Sequence, residues 1–272
     1  MTRMPRSTGL SATLKAVIAA VKLVAAEEIM PRYMKVALQH KIDGSLCSEA
    51  DIASQEALTR KLQSILNVPV IGEEMSEERQ KALWADGMQD VWCIDPIDGT
   101  SNFLRGLPYF AISVALIRAG KSVLAVVHAP VGDETFAAES GRGAFLNGTK
   151  LVGCNVAKEL SGALANVDLK RLDSKLVTQL AVNPPYASQR NFGASTLDWC
   201  YTAAGRYDLY LHGGQKLWDY AAGSLVMQEA GGKACCLDFD DFSQADVWQR
   251  SVIASLDAHL FDDWKNWIRA RQ

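Results

Sequence analysis

The segment VWCIDPIDGTSNF, residues 91–103, directs both the fold prediction and the search for a functional site. Four apolar residues lead into Asp95, and a second aspartate, Asp98, follows three positions later. Two carboxylates this close repel each other, and neither is easily buried unless a positive charge lies between them. Pro96 disfavours helix at Asp95, so we expect an extended strand through the first carboxylate. Gly99 then permits a sharp turn with positive φ.

Two interpretations of this segment remain open on local sequence. One is a surface Asp-Pro turn in which Asp98 caps the next helix. The other is a hard-metal site, because aspartate oxygens beside free helix N–H groups suit Mg²⁺ together with phosphate. Glu73, after the apolar strand VPVI and a glycine, and Asp219, at the start of a predicted helix, favour the second. Four acids at such positions have one common use, which is to hold more than one divalent cation.

The composition bounds the class of protein. With 272 residues and 49% apolar residues, the chain can bury a sizeable core. Its net charge of −3 gives no reason to expect nucleic acid or an acidic membrane as a partner. The six cysteines have no C-x-x-C spacing, so we interpret them as reduced core residues of a cytoplasmic protein and expect no zinc site. The run AVIAAVKLVAA predicts an amphipathic surface helix, not a targeting or membrane-spanning segment.

Periodicity predicts two helices, a meander-like antiparallel sheet, and then a smaller α/β half with a partly parallel sheet. We expect one unit over residues 1–272, with a weak boundary near residue 150 between the halves 1–150 and 151–272. Helices are predicted at 11–39, 51–66, 176–182, 195–205, 219–230 and 257–270. Strands are predicted at 68–71, 91–94, 110–118, 122–129, 134–138, 143–146, 162–167, 207–211 and 252–254. The small residues Ala221, Ala222 and Gly223 would let their helix approach another element closely.

Several motifs resemble those of the inositol monophosphatase family of metal-dependent phosphatases. The main three are VIGEE at 70–74, WCIDPIDGTSNFLRGLPYFAISVAL at 92–116 and LWDYAAGSLVMQEAGG at 217–232. CSEADIASQE at 47–56 and GRGAFLNG at 141–148 add weaker support. The resemblance spans nearly the whole chain. It implies an α/β fold layered as an αβαβα sandwich, Mg²⁺ dependence, lithium sensitivity and a homodimer.

The resemblance also implies a set of metal ligands. Glu73, Asp95 and the backbone carbonyl of Ile97 would hold one Mg²⁺. Asp95, Asp98 and Asp219 would hold a second, with Asp95 bridging the two. Glu73 and waters could hold a weaker third ion. Two such cations would offset the repulsion between the acids and clamp the attacking and leaving oxygens of a phosphate monoester.

The expected catalytic residues are Thr100, Asp51 and Glu73. By resemblance, Thr100 orients and helps deprotonate a metal-activated water, and Asp51 is its hydrogen-bond partner. Asp51 also fits an ordinary N-cap of the helix at 51–66, and local sequence leaves both roles open. The N–H groups of Gly99 and Thr100 are expected to cradle phosphate oxygens. Lys41 is either a residue near the site or a solvated surface lysine.

One departure from the family pattern concerns the substrate. His212 stands seven residues before Asp219, where the family typically has a glutamate that contacts inositol hydroxyls. The alternative is a partly exposed loop histidine, in a loop that Gly213 and Gly214 loosen. The expected substrate contacts are Gly193, Ala194, Ser195, His212, Asp98 and Asp219.

The resulting prediction is hydrolysis of a small polyol or sugar phosphate, with inositol monophosphate as the first candidate. Histidinol phosphate and fructose bisphosphate hydrolysis are the alternatives within the fold. The TSNF continuation at 100–103 does not favour a nucleotide substrate. A regulatory or RNA-associated interaction protein that retains the fold is the alternative from another class.

Overall fold

The computed structural model describes residues 9–35, 39–40, 46–84, 87–153 and 157–272. The α-helices in these residues are α1 Ala12–Val24, α2 Glu49–Ile65, α3 Glu77–Trp84, α4 Thr100–Arg105, α5 Ser174–Val182, α6 Ser195–Ala203, α7 Leu217–Glu229 and α8 Ala258–Arg269. The strands are β1 Gln39–His40, β2 Leu46–Cys47, β3 Val70–Gly72, β4 Val91–Asp98, β5 Ala111–Arg118, β6 Lys121–Ala129, β7 Glu134–Glu139, β8 Gly143–Leu146, β9 Thr149–Lys150, β10 Leu164–Asp168, β11 Ser188–Arg190, β12 Leu209–Gln215, β13 Lys233–Cys235 and β14 Arg250–Ser255.

Two sheets form the framework. The larger has seven strands in the order β3-β4-β5-β6-β7-β8-β9, in which β3 and β4 are parallel and each later pair is antiparallel. The smaller has five strands in the order β11-β10-β12-β14-β13. Its first three strands are parallel, and β14 runs antiparallel to both of its neighbours. The predicted meander and the predicted partly parallel second sheet are therefore confirmed.

The helices complete five layers. α1 and α2 pack together on one face of the large sheet, and α6 and α7 cover its other face. The opposite sides of α6 and α7 pack on the small sheet, and α5 and α8 close the structure on its far face. Each sheet is thus covered on both faces, which is why most residues of β4 and β5 are buried on both sides. The αβαβα arrangement predicted from the sequence is confirmed.

Several element boundaries differ from the predictions. The helix predicted at 11–39 ends as α-helix at Val24, continues as a π-helix over Ala25–Ile29, and finishes in a 3₁₀ turn at Met30–Arg32. Pro31, which has no N–H, lies in that turn. The helix α3 was not predicted, because it has few apolar residues. The six-residue helix α4 was expected after Asp98, but without bounds.

The N-terminal helix agrees with its amphipathic prediction. Its buried residues are Leu14, Val17, Ala20, Val21 and Val24. Within the described ranges, the chain forms no helix with the length and apolar character needed to cross a bilayer. The cysteines whose side chains are described, namely Cys93, Cys200, Cys235 and Cys236, are free and buried, as predicted.

The central helices α6 and α7 approach each other at a glycine. A Cβ added at Gly223 in α7 would lie 2.4 Å from Cβ of Trp199 in α6, far inside contact distance. Trp199 is fully buried, and its indole N–H donates to Oε1 of Gln215 at 2.9 Å, so it has little freedom to move. The predicted close approach of this helix to a neighbour is confirmed, and Gly223 is the residue that allows it.

Replacement of this glycine should therefore destabilise the protein. We expect Gly223→Ala to lower the free energy of unfolding by about 1–3 kcal/mol through overpacking, although alanine favours helix more than glycine does. Gly162→Ala is the matched control, since nothing lies within 4 Å of its added Cβ. Urea unfolding of both variants checks the prediction. Equal stability of the two would show that the α6–α7 contact is not tight.

Candidate metal centre

Three carboxylates converge where the large sheet meets α7. Asp95 and Asp98 lie at the end of β4, and Asp219 lies in the first turn of α7. Each offers one oxygen, and these three oxygens all lie within 4.8 Å of one another. Residues three apart in a regular strand point to opposite faces, but the register with β5 shifts between Asp95 and Asp98. This irregularity is what allows both carboxylates to reach one site.

Each carboxylate is oriented by hydrogen bonds to one of its oxygens. The N–H of Ile97 donates to Oδ1 of Asp95 at 3.1 Å. The N–H of Lys216 donates to Oδ2 of Asp219 at 2.8 Å. Lys216 is the N-cap residue of α7, so Asp219 lies in the first turn and is not itself the cap. Asp98 is held by a residue of α6, which the sequence did not reveal.

That residue is Thr196. Its N–H and its hydroxyl donate to Oδ2 of Asp98 at 2.7 and 2.6 Å. Ala194, the N-cap residue of α6, supplies no side-chain cap, so Asp98 serves that purpose from a distant segment. The surface-turn interpretation required Asp98 to cap α4. It is wrong, because Gly99 is the N-cap residue of α4.

Burial makes this group of acids hard to ionise. Desolvation, reinforced by Glu73, Asp98 and Asp219, raises the pKa of Asp95 well above its ordinary range. Burial raises the pKa of Asp219 to about 8, with repulsion from Asp98 and Glu73. Burial raises the pKa of Asp98 to about 6, although the hydrogen bonds from Thr196 oppose the shift. No ion pair between described residues includes Asp95, Asp98 or Asp219.

A bound divalent cation would offset the free-energy cost of ionising these acids. The donors are hard carboxylate oxygens, the ligand type that Mg²⁺ prefers, and among the described residues no ion pair neutralises them. Glu73 follows β3, whose parallel pairing with β4 brings the ends of both strands side by side. Its N–H donates to the carbonyl of Ile94 at 3.3 Å. Its charge raises the pKa values of Asp95, Asp98 and Asp219, so it faces the same site.

Thr100 and Asp51 lie together although 49 positions separate them. The hydroxyl of Thr100 is 3.4 Å from Oδ1 of Asp51 and donates to the carbonyl of Ile97 at 3.1 Å. Asp51 is fully buried, and its Oδ2 accepts from the N–H and the hydroxyl of Ser48 at 2.8 and 2.6 Å. Ser48 is the N-cap residue of α2, so the interpretation of Asp51 as the cap itself is wrong. Burial raises the pKa of Asp51 to about 7 against these bonds from Ser48.

The turn after β4 requires glycine. Gly99 has φ 88°, and an added Cβ would lie 3.0 Å from the carbonyl oxygen of Tyr109 and 3.1 Å from Cβ of Ala194. The segment 193–195, predicted to contact substrate, therefore lies against the turn that leads from Asp98 to Thr100. Asn102 anchors this segment, because its amide donates to the carbonyl of Phe192 at 2.6 Å. Gly193 is exposed, Ala194 is buried, and Ser195 begins α6.

His212 is not the partly exposed loop histidine of the alternative interpretation. It lies in β12, not in a loop, and it is buried. Its Nδ1 accepts from the N–H of Gly214 at 3.0 Å, and its Nε2 lies 3.7 Å from Oδ2 of Asp168. Gly213 does not loosen the chain either, because an added Cβ would lie 2.3 Å from the carbonyl oxygen of Arg171. Lys41 lies outside the described residues.

The sequence analysis missed three residues near the site. Thr196 orients Asp98, Asp198 accepts from the hydroxyl of Tyr109 at 2.8 Å, and Arg171 packs against Gly213 and Gly214. Burial raises the pKa of Asp198 to about 8. A helix-starting threonine and a loop arginine carry no local signal of such roles, because their partners lie far away in the chain.

Comparison with known proteins agrees with this geometry. Residues 10–266 match the inositol monophosphatase family. An inositol-1-monophosphatase of Rhizobium meliloti is 38% identical over 235 residues, which cover 84% of this chain and 85% of the relative. A Nus factor SuhB of Pseudomonas aeruginosa is 38% identical over 193 residues, which cover 68% of this chain and 70% of the relative.

A solved structure extends the agreement to the whole fold. An IMPase of Thermotoga maritima superposes with a TM-score of 0.82 at 27% identity, covering 96% of this chain and 97% of that structure. The match therefore includes both sheets, among them the strand that carries Asp95 and Asp98, and the helix that carries Asp219. On its motifs, its layered fold and these relatives, the chain belongs to the inositol monophosphatase family.

Proposed function

We propose that this protein is a Mg²⁺-dependent phosphomonoester hydrolase of small polyol or sugar phosphates, with inositol monophosphate as the first candidate. The observation that carries the proposal is the convergence of oxygens of Asp95, Asp98 and Asp219 within 4.8 Å. Asp95 and Asp98 are buried and Asp219 is half-buried, the three repel one another, and no ion pair among the described residues includes them. The relative named inositol-1-monophosphatase supports the choice of substrate.

The proposed metal ligands divide between two Mg²⁺ ions. Glu73, Asp95 and the carbonyl of Ile97 would hold the first, Asp95, Asp98 and Asp219 would hold the second, and Glu73 could contribute to a third. When bound, these cations supply the charge that activates water and stabilises the leaving oxygen of the ester. The hydrogen bonds from Ile97, Thr196 and Lys216 pre-orient the three aspartates for this task.

Thr100 and Asp51 are the proposed proton-handling pair. The hydroxyl of Thr100 can orient the attacking water and pass a proton to Oδ1 of Asp51, which lies 3.4 Å away. The bonds from Ser48 hold the other oxygen of Asp51 and fix the direction of the carboxylate. Because the pKa of Asp51 is raised by burial to about 7, it can both accept and return a proton near neutral pH.

The turn at Gly99 is the proposed phosphate cradle. The proposed donors are the N–H groups of Gly99 and Thr100, beside the acids. In the described part of the chain, the N–H group of Thr100 donates to no protein acceptor, as expected for the first turn of a helix, and can bind a phosphate oxygen. Gly193, Ala194 and Ser195 are the proposed contacts to the rest of the substrate, since Ala194 packs against this turn.

The regulatory alternative has one observation in its favour. Several relatives carry the name Nus factor SuhB, including the one from Pseudomonas aeruginosa. Hydrolysis and a regulatory interaction are compatible in one chain, so the decisive question is whether the metal centre turns over. Histidinol phosphate and fructose bisphosphate remain the alternative substrates.

A substrate panel tests the proposed activity. We expect hydrolysis of inositol monophosphate that requires Mg²⁺ and is inhibited by lithium, measured as phosphate release beside histidinol phosphate and fructose bisphosphate. Asp95→Asn should lower kcat by at least about 100-fold, because the proposed bridging carboxylate is lost. Near-normal Mg²⁺-dependent activity of Asp95→Asn would refute the metal assignment. No hydrolysis of any member by the parent protein would favour the regulatory alternative.

The metal-free protein should become less stable as the pH rises. A buried carboxyl whose pKa is raised stabilises the fold below its ordinary pKa, and this contribution is lost as the pH rises through about 8 for Asp219. Mg²⁺ should therefore raise Tm more at pH 8.5 than at pH 6. Asp219→Asn should raise the metal-free Tm at pH 8.5 by a few degrees, at roughly 2–4 °C per kcal/mol of added stability. It should also reduce the rise in Tm that Mg²⁺ causes.

The exposed Asp238→Asn is the control for this experiment, since it removes the same charge away from the site. It should leave both the metal-free Tm and the response to Mg²⁺ close to those of the parent. A Mg²⁺ response equal in Asp219→Asn and in the parent would contradict the assignment of Asp219.

Substitution of Thr100 separates proton handling from metal binding. Thr100→Val removes the hydroxyl and should lower kcat by roughly 100-fold, whereas Thr100→Ser should keep most activity. Both should keep the Mg²⁺-dependent rise in Tm, because the hydroxyl is not a proposed metal ligand. In the parent, kcat should fall as the pH drops below about 7, where Asp51 becomes protonated. Equal kcat for Thr100→Val and Thr100→Ser would exclude the hydroxyl from the reaction.

A further inference from the structure

Arg171 is held in an unusual position immediately after β10. Its φ is 63°, in the left-handed region that non-glycine residues rarely adopt. Its carbonyl oxygen packs so closely on β12 that a Cβ added at Gly213 would lie 2.3 Å away. A non-glycine residue in such a conformation persists only where the surrounding structure holds it. The glycine at 213 is thus the residue that admits Arg171 against β12.

The side chain of Arg171 lies against the next glycine, Gly214. Its Cδ would be 3.6 Å from a Cβ added at Gly214, and its Nη1 donates to the carbonyl of Gly214. Two residues after Gly214 stands Lys216, whose N–H donates to Oδ2 of Asp219 at 2.8 Å. The guanidinium therefore lies on the segment that leads directly into the proposed metal ligand.

The positive charge of Arg171 is not neutralised by a protein carboxylate. Across the described ranges, its guanidinium forms no ion pair, and the bond to Gly214 is its one hydrogen bond. A guanidinium has five N–H donors, so most remain available to a ligand. Arg171 is exposed at the surface, so an anion from solution can reach its guanidinium.

His212 leaves the positive charge of Arg171 available to a ligand, because its imidazole is neutral. His212 accepts from the N–H of Gly214 through Nδ1, so its proton lies on Nε2, facing Asp168. Burial lowers the pKa of His212 to about 4, and Arg171 and Lys170 add to the shift, so the imidazole is neutral at physiological pH. A glutamate at this position would place a negative charge beside the guanidinium. The neutral histidine leaves the arginine free to meet an anion from solution.

We propose that Arg171 forms a subsite for a second anionic group of the substrate, a carboxylate or a second phosphate, beside the phosphate that is hydrolysed. This inference rests on the proposed phosphatase function and narrows its substrate class. A planar guanidinium binds either oxyanion through two parallel N–H donors. Binding of this group lowers KM for anionic substrates and positions the scissile phosphate at the acids.

A matched series of six-carbon substrates tests the subsite. Sorbitol 6-phosphate, 6-phosphogluconate and sorbitol 1,6-bisphosphate differ at one end, which is a hydroxyl, a carboxylate or a phosphate. We expect kcat/KM for at least one anionic member to exceed that for sorbitol 6-phosphate by about tenfold, chiefly through KM. The two anionic members show which oxyanion the subsite prefers. In Arg171→Gln, kcat/KM for the anionic members should lie within about threefold of that for sorbitol 6-phosphate. Arg171→Lys should keep part of the tenfold difference.

A second variant controls for the loss of one positive charge. Arg142→Gln changes the same charge in the turn between β7 and β8. Gly141 and Gly143 of that turn bind Glu229, at the opposite end of α7 from Asp219. This variant should keep the preference of the parent protein. Equal preference in the parent and in Arg171→Gln, or no preference in the parent, would overturn the subsite.

Binding measurements separate failure of the subsite from failure of the proposed function. The rise in Tm on adding each compound with Mg²⁺ should be larger for the anionic members, and this difference should vanish in Arg171→Gln. If no compound is hydrolysed but this difference persists, the anion site stands and the phosphatase proposal falls. If all are hydrolysed with equal kcat/KM, the phosphatase proposal stands and the subsite falls.

Discussion

Electrostatic repulsion between buried carboxylates is the constraint on which the rest of the structure depends. Asp95 and Asp98 are buried and Asp219 is half-buried, and desolvation is the main cause of their raised pKa values. A protein keeps such a group of acids only if something positive can occupy the space between them. The turn at Gly99, the bulge in β4 and the first turn of α7 all position these carboxylates around that space.

The central helical layer connects this site to both sheets. α7 carries Asp219 and packs on the large sheet, while α6 caps its own N-terminus with Asp98 through Thr196. The two helices pack closely because Gly223 has no side chain to collide with Trp199. The metal centre and the segment 193–195 are therefore parts of one packed unit, and a shift of α6 would move a proposed metal ligand and the proposed substrate contacts together.

The proposed subsite for a second anionic group lies in a different part of the molecule. The β10 and β12 strands of the small sheet bring Asp168 opposite His212, and the chain after β10 places Arg171 on Gly213 and Gly214. The acids are held by short hydrogen bonds within the fold, whereas the guanidinium of Arg171 is exposed.

Local sequence signals accounted for most of the elements and for the identity of the acids. The antiparallel strands from β5 to β8 were predicted nearly to their ends, because alternation and glycine turns are local properties. The meeting of Asp95, Asp98 and Asp219 was favoured by their positions at strand and helix ends and by motif resemblance, although three positions along a regular strand would have separated the first two. Ser48 is the N-cap residue of α2, and Asp51 is the N3 residue of the same capping box. Both residue types are common at a helix start, so the local sequence did not show which of them is the N-cap.

The sequence by itself determined the layered fold, the acidic motifs and the need for glycine at position 99, because these depend on residue periodicity and backbone sterics. Tertiary structure alone decided that Thr196 holds Asp98, that His212 is buried beside Asp168, and that Arg171 lies over Gly213 and Gly214. Each of these contacts joins residues from separate elements. These contacts form only when the strands and helices pack together. The local sequence around each residue does not encode which distant residue it will contact.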